Sequence, residues 1–193
     1  MLSTHWLPAA RVNLAKTRKF SLISTHTSFP ATMYRFQLHR KATLYDAREE
    51  ESRRTKDGIQ VSDDGLVHAA ISKSSPYSNG PVFMPNTRLM QQMLRFDYDR
   101  YLDDVADGKC VLDPVVVRIE RGTSIPDSLA LWREGASRFS LQPSSPIEVE
   151  KLNDLLSGLY ETSATVLDAG EFVEKYPYRE SIFDKDEQAW MKA

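Results

Sequence analysis

The sequence predicts an α+β domain. Short β-type runs and helical periods follow one another without the regular βα alternation of a doubly wound sheet. Two stretches, beginning near Thr87 and near Ser145, carry apolar residues at three- and four-residue spacing. The chain has 193 residues, 41% of them hydrophobic, enough for one core and one tail but not for two large domains.

The elements follow in order. Tyr34-Arg35-Phe36-Gln37-Leu38 alternates aromatic or apolar with polar residues, which predicts a strand. Ala42 to Tyr45 extends it or forms a second short strand. Arg48 to Lys56 is a charge run, read as a solvated loop or helix face. Asp57-Gly58 and Asp63-Asp64-Gly65 are turn signals around Ile59-Gln60-Val61. Ser72 to Pro85 is rich in Ser, Pro, Asn and Gly and is expected to be irregular and function-bearing.

From Thr87 the period becomes helical. Leu89, Met90, Met93, Leu94, Tyr98, Tyr101, Leu102 and Val105 predict an amphipathic helix with this stripe in the core, ending near Asp107-Gly108. Val115 to Ile119 is β-branched and predicts a buried strand. Arg138 to Gln142 alternates and predicts another. Ser145-Pro146-Ile147-Glu148 reads as a capping box with Pro at the first helical position. Ile147, Leu152, Leu155, Leu156 and Leu159 give that helix its buried face. A strand is expected from Ser163 to Leu167, then a last helix capped by Asp168 and ended by Pro177.

Charge divides the chain further. Residues 1–45 hold seven basic and no acidic side chains, whereas residues 46–193 hold 18 basic and 27 acidic ones, a net of −9. Residues 1–32 are therefore set apart as a basic, hydroxyl-rich leader, residues 33–177 as the domain and residues 178–193 as a charged tail. Two readings of the leader stand. It is a mitochondrial transit segment, with Arg18-Lys19-Phe20-Ser21 as a matrix-protease site, or a disordered stretch before a start at Met33. The first places the protein in the mitochondrial matrix, the second in the cytoplasm.

The inventory excludes several chemistries. No two of the eight glycines are separated by a single residue, so no GxGxxG exists, and GxxxxGK[ST] is absent too. The four histidines and the single Cys110 show no metal-ligand spacing, and no metal is expected. No GxSxG elbow is present. The longest aliphatic run, Val115 to Val117, is far short of the ~20 residues that span a bilayer. A net charge of −2 gives no field for nucleic acid.

One stretch resembles a known family. Arg118-Ile119-Glu120-Arg121-Gly122-Thr123-Ser124-Ile125-Pro126-Asp127-Ser128-Leu129 is similar to the segment of the type VI secretion exported effector two family in which a strand runs into a Gly-Thr-x-hydrophobic-Pro-x-x-Leu turn. Ser137 to Ile147 resembles the strand and Pro-rich helix entry that follow there. Ala42-Thr43-Leu44-Tyr45, Asp64-Gly65-Leu66-Val67 and Ser78-Asn79-Gly80 fall in the family's order. The resemblance covers residues 42 to 177. It implies an ADP-ribosyltransferase-like fold, with a split mixed β-sheet and flanking helices. It also implies NAD as substrate, an ADP-ribose acceptor of unstated kind, and an immunity protein as a further partner.

Carried over residue by residue, the resemblance marks Gln142, Arg138 and Ser140 as catalytic. It marks Tyr45, Arg48, Ser78, Asn79 and Phe139 as NAD-binding. Asp46 stands where the family has Arg after Leu-Tyr, and Arg48 is the nearby cation that can substitute. Arg138-Phe139-Ser140 replaces His-Tyr-Ser/Thr, so Phe139 is expected to keep a stacking face and Arg138 to meet phosphate. Glu120 and Glu134 are the two candidates for a glutamate against the ribose. Three functions compete: an active toxin-type transferase, a decayed relative that serves as an interaction module, and an unrelated mitochondrial accessory protein.

Overall fold

A computed structural model describes residues 24–48, 57–70, 78–109 and 113–176. The readings placed on residues 1–23, on the charge run 49–56, on Ser72 to Tyr77, on Cys110 and on the tail lie outside the described residues.

Among the described residues, nine strands and three helices follow in chain order: β1 Ser24–His26, β2 Met33–Gln37, β3 Tyr45–Asp46, β4 Gly58–Ile59, β5 Val82–Pro85, α1 Arg88–Ala106, β6 Val115–Ile119, β7 Leu129–Arg133, β8 Phe139–Pro143, α2 Val149–Ser163, β9 Ala164–Asp168 and α3 Ala169–Lys175. Seven strands form one sheet in the order β1-β7-β8-β5-β2-β6-β9, antiparallel at every step. Strands β3 and β4 form a separate parallel pair. The architecture is α+β.

The sheet divides at β5. Val82 and Phe83 pair with Ser140 and Phe139 of β8, whereas Met84 and Pro85 pair with Tyr34 and Met33 of β2. Each end of one short strand thus serves a different half-sheet, and this is the split of the expected fold. Val82–Pro85 lies inside Ser72 to Pro85, the stretch expected to be irregular for its Ser, Pro, Asn and Gly content. Proline is tolerated where ladder pairing begins or ends. Pro81 precedes the strand and Pro85 closes it, so neither interrupts the apolar Val82-Phe83-Met84 between them.

Two cores lie on opposite faces. Phe83, Val117, Ile119, Leu131, Phe139 and Leu141 meet Leu152, Leu156, Leu159 and Tyr160 of α2. On the other face Tyr34, Met84 and Val116 meet Met90 and Leu94 of α1 and Phe172 and Val173 of α3. Thr87 caps α1, accepting from the Met90 amide at 3.2 Å, and Asp168 caps α3, accepting from the Glu171 amide at 3.1 Å.

Several expectations are corrected. The stripe of α1 is only partly core: Met90 and Leu94 are buried, but Leu89, Met93, Leu102 and Val105 are exposed, since α1 lies over the sheet on one narrow line. Helix α2 starts at Val149, and the side chain of its N-cap residue Glu148 makes no capping hydrogen bond, pairing instead with Lys151 at 3.1 Å. Ile147 is held instead by a bridge to Val67, so the Ser145 capping box never forms. Arg35 and Gln37 are buried, because the split leaves a polar recess where an intact sheet would face solvent. Residues 24–32 belong to the fold: β1 pairs with β7, and Phe29 and Ala31 are in the core, ahead of Met33. Strand β7 was not anticipated at all.

Candidate active site

Strand alternation decides which side chains of β8 serve the site. Phe139 and Leu141 point into the α2-side core, and Ser140 and Gln142 point to the opposite face. Phe139 is fully enclosed, with its ring 5.8 Å from that of His26, so its expected stacking role is not supported by its placement. The aromatic on the Ser140 face is Trp132, directly across the ladder from Ser140. Its indole Nε1 is buried with no hydrogen-bond partner.

Three sequence-predicted residues, Ser78, Arg138 and Gln142, converge on one carboxylate, and the fully buried Ser140 joins them through Gln142. Glu134 Oε2 accepts from Ser78 Oγ at 2.7 Å and faces Arg138 Nε at 3.1 Å. Glu134 Oε1 accepts from Gln142 Nε2 at 3.3 Å, which also donates to Ser140 Oγ at 2.7 Å. Arg138 Nη2 donates to Ser78 Oγ at 3.0 Å. Glu134 and Arg138 flank the β7–β8 turn, closed by the Glu134 amide donating to the Arg138 carbonyl at 2.9 Å. Ser78 arrives because Gly80 lies flat against β8: a Cβ there would stand 1.9 Å from the Leu141 carbonyl oxygen. The carboxylate is 24% exposed, enough to meet a ligand.

Glu120, the other glutamate candidate, lies elsewhere. It follows β6, paired with Arg118 at 2.6 Å and accepting from Thr32 Oγ1 at 2.9 Å.

Asn79 and Gln142 are used internally. Asn79 is buried; its Oδ1 accepts from the Gln60 amide at 3.0 Å and its Nδ2 donates to the carbonyls of Gln60 and His68 at 3.1 and 2.7 Å. Gln142 is fully buried, accepting from the Ala70 amide at 2.8 Å and donating to the Ala70 carbonyl at 3.2 Å.

Tyr45 and Arg48 lie in a second place. They line a cleft of about 600 Å³ with Asp46, Ser62, Asp63, Glu148 and Asn153. Arg48 is drawn onto Asp46 through Nε at 3.1–3.2 Å and Nη2 at 2.9 Å. These bonds hold the Asp46 carboxyl below the ordinary carboxylate range. The substituted Asp and its neighbouring Arg therefore form a pair.

The sequence reading did not single out Trp132, nor the buried polar group in the split. There Arg35 Nε donates to Gln37 Oε1 at 3.0 Å, and the guanidinium pairs with Asp57. The Tyr160 hydroxyl is buried without a partner, and burial pushes it up to about 12. Period-two spacing puts Ala130 and Trp132 on one face of Leu129–Arg133, which was the available signal for Trp132.

A family model described as Tse2 ADP-ribosyltransferase toxin matches residues 31–172. The chain belongs to this family. Its match takes in both half-sheets from β2 to β9 and every residue of the Glu134 network. Neither a curated protein nor a solved structure matches the chain. Among the described residues no group of three His, Cys, Asp or Glu is placed to hold a metal ion, and no helix is long and apolar enough to cross a membrane.

Proposed function

We propose that this ADP-ribosyltransferase toxin domain uses NAD as its substrate and cleaves the nicotinamide–ribose bond at the Glu134 network. The convergence of Ser78, Arg138 and Gln142 on the one carboxylate of Glu134 carries this reading.

The bond leaves with its electron pair on nicotinamide and builds positive charge at the ribose C1. A fixed carboxylate stabilises that charge, and is worth more where water is partly excluded. Glu134 is held by hydroxyl and amide donors, so it needs no reorganisation as charge develops. Half-exposed Arg138 can turn to the pyrophosphate, which a guanidinium matches with paired N–H donors. Ser78 offers its hydroxyl to the ribose, and the fully buried Ser140 stays behind the site as an acceptor for Gln142. Trp132 supplies an aromatic face and an unused N–H donor on the same side of the sheet. Gln142 acts by orienting Glu134 and Ser140. The acceptor's nucleophile then attacks C1 and loses its proton.

A second reading, a domain that binds but no longer turns over, is favoured by one observation: Asp46 occupies the family's Arg position and consumes Arg48 in an ion pair. A thermal-shift titration of the full chain with NAD separates binding from its absence. Saturable stabilisation supports the proposal, and no shift at millimolar NAD defeats it. Stabilisation without nicotinamide release would select the second reading.

A further inference from the structure

Residues 42–48 and 57–70 contribute Leu44, Ile59, Val61 and Val67 to the α2-side core, yet their strands β3 and β4 are two residues each and neither joins the main sheet. Three side-chain amides hold this excursion, and each does so in the same way. Asn153 of α2 accepts from the Leu44 amide at 2.8 Å and donates to the Leu44 carbonyl at 2.9 Å. Asn79 does the same for Gln60, and Gln142 for Ala70. Each primary amide copies a neighbouring strand's peptide group, presenting one acceptor and one donor to the N–H and C=O of a single residue. Backbone groups that a ladder would have satisfied are satisfied by these side chains.

Asn153 stands out among the three. It lies inside a helix, where Asn is a poor former because its side chain competes for backbone hydrogen bonds. It also lines the cleft that holds Tyr45 and Arg48. We infer that Asn153 is a positioning residue: by clamping Leu44 it sets where Tyr45, Asp46 and Arg48 stand, and so tunes how the cleft they line holds the part of NAD remote from the bond cleaved at Glu134. Ser157, one turn further along α2, accepts from the Ala42 amide at 3.1 Å and steadies the same edge. The kinetic half of this inference rests on the NAD reading above, and the structural half does not.

The test compares the full-length wild type with Asn153→Asp, which keeps the acceptor but loses the donor, and Asn153→Leu, which loses both. Two quantities are read: amide hydrogen exchange by residue, and KM and kcat for NAD consumption. Losing one or two such bonds is expected to speed exchange at residues 42–48 by about ten- to a hundredfold. Amides of β6 and β8 should stay as protected as before. KM for NAD is expected to rise about tenfold with kcat within about twofold. Unchanged exchange at Leu44 overturns the inference, as does faster exchange with an unchanged KM. If Asn153→Leu does not fold, Ser157→Ala should move the same amides by a smaller factor. If the wild type consumes no NAD, the proposed function fails, and exchange alone decides the clamp. Loss of protection confined to residues 42–48 upholds it, and loss everywhere or nowhere refutes it.

Discussion

The Ser78 hydroxyl donates to the Glu134 carboxylate at 2.7 Å across 56 residues of chain. That bond joins the segment entering β5 to the β7–β8 turn, and Arg138 and Gln142 close around it. The account of function depends on this arrangement, and each part can be removed separately.

Glu134→Gln keeps the shape and an acceptor oxygen but removes the charge. Nicotinamide release should fall about 10²- to 10³-fold. The ion pair with half-exposed Arg138 contributes little, about 1 kcal/mol at most, so Tm should move by only a few degrees. Glu120→Gln should leave turnover unchanged. Steady-state nicotinamide release with a parallel melt checks both variants.

Gln142→Ala should behave differently from Arg138→Ala. Gln142 is fully buried and serves both backbone groups of Ala70, so its loss strands a buried donor and acceptor at about 1–3 kcal/mol. Arg138→Ala should lower activity with little change in stability. Urea unfolding of the two variants gives the contrast.

Much of the fold was legible because periodicity and end signals are local. Thr87 and Asp168 announced α1 and α3, and the β-branched run Val115 to Val117 announced β6. Position within the sheet is not local. Nothing in Arg35 and Gln37 says that β2 borders a split that buries them, and nothing in Ser145 says that Ile147 will bridge Val67 first. At the site, Ser78, Arg138, Ser140 and Gln142 were read from the family pattern. Glu134 needed its long-range partners to be distinguished from Glu120. Strand facing depends on which side α2 covers, which encloses Phe139 in the core and leaves Trp132 across the ladder from Ser140.

Gly80→Ala should be severe, since its Cβ would stand 1.9 Å from the Leu141 carbonyl oxygen and the two backbones cannot part without opening β5 from β8. A loss of about 3 kcal/mol is expected. Gly135→Ala, whose new Cβ would meet nothing nearer than 3.9 Å, serves as the control and should change Tm little.

Tyr160→Phe should be neutral or stabilising by about 1 kcal/mol, because it deletes a buried hydroxyl with no partner. The sign of its pH effect follows from the raised value of about 12. Above pH ~10 the unfolded tyrosine ionises while the folded one does not, so this residue costs the wild type stability from pH ~10 to about 12. Tyr160→Phe should remove that part of the alkaline decline. Unfolding at pH 8 and pH 11 tests it.

Asp46→Asn should destabilise near neutral pH and matter less in acid. Arg48 holds the Asp46 carboxyl below its ordinary value, so the stabilisation is present above about pH 4 and is lost as pH falls through the lowered folded value. Melts of wild type and variant should converge below pH 4.

The most direct test of the central claim is nicotinamide released from NAD by the purified full chain, with wild type and Glu134→Gln measured side by side by chromatography. Release by the wild type that falls at least a hundredfold in the folded variant is the predicted result. Equal release by the two, or none by a wild type that binds NAD, would contradict the assignment of the reaction to Glu134.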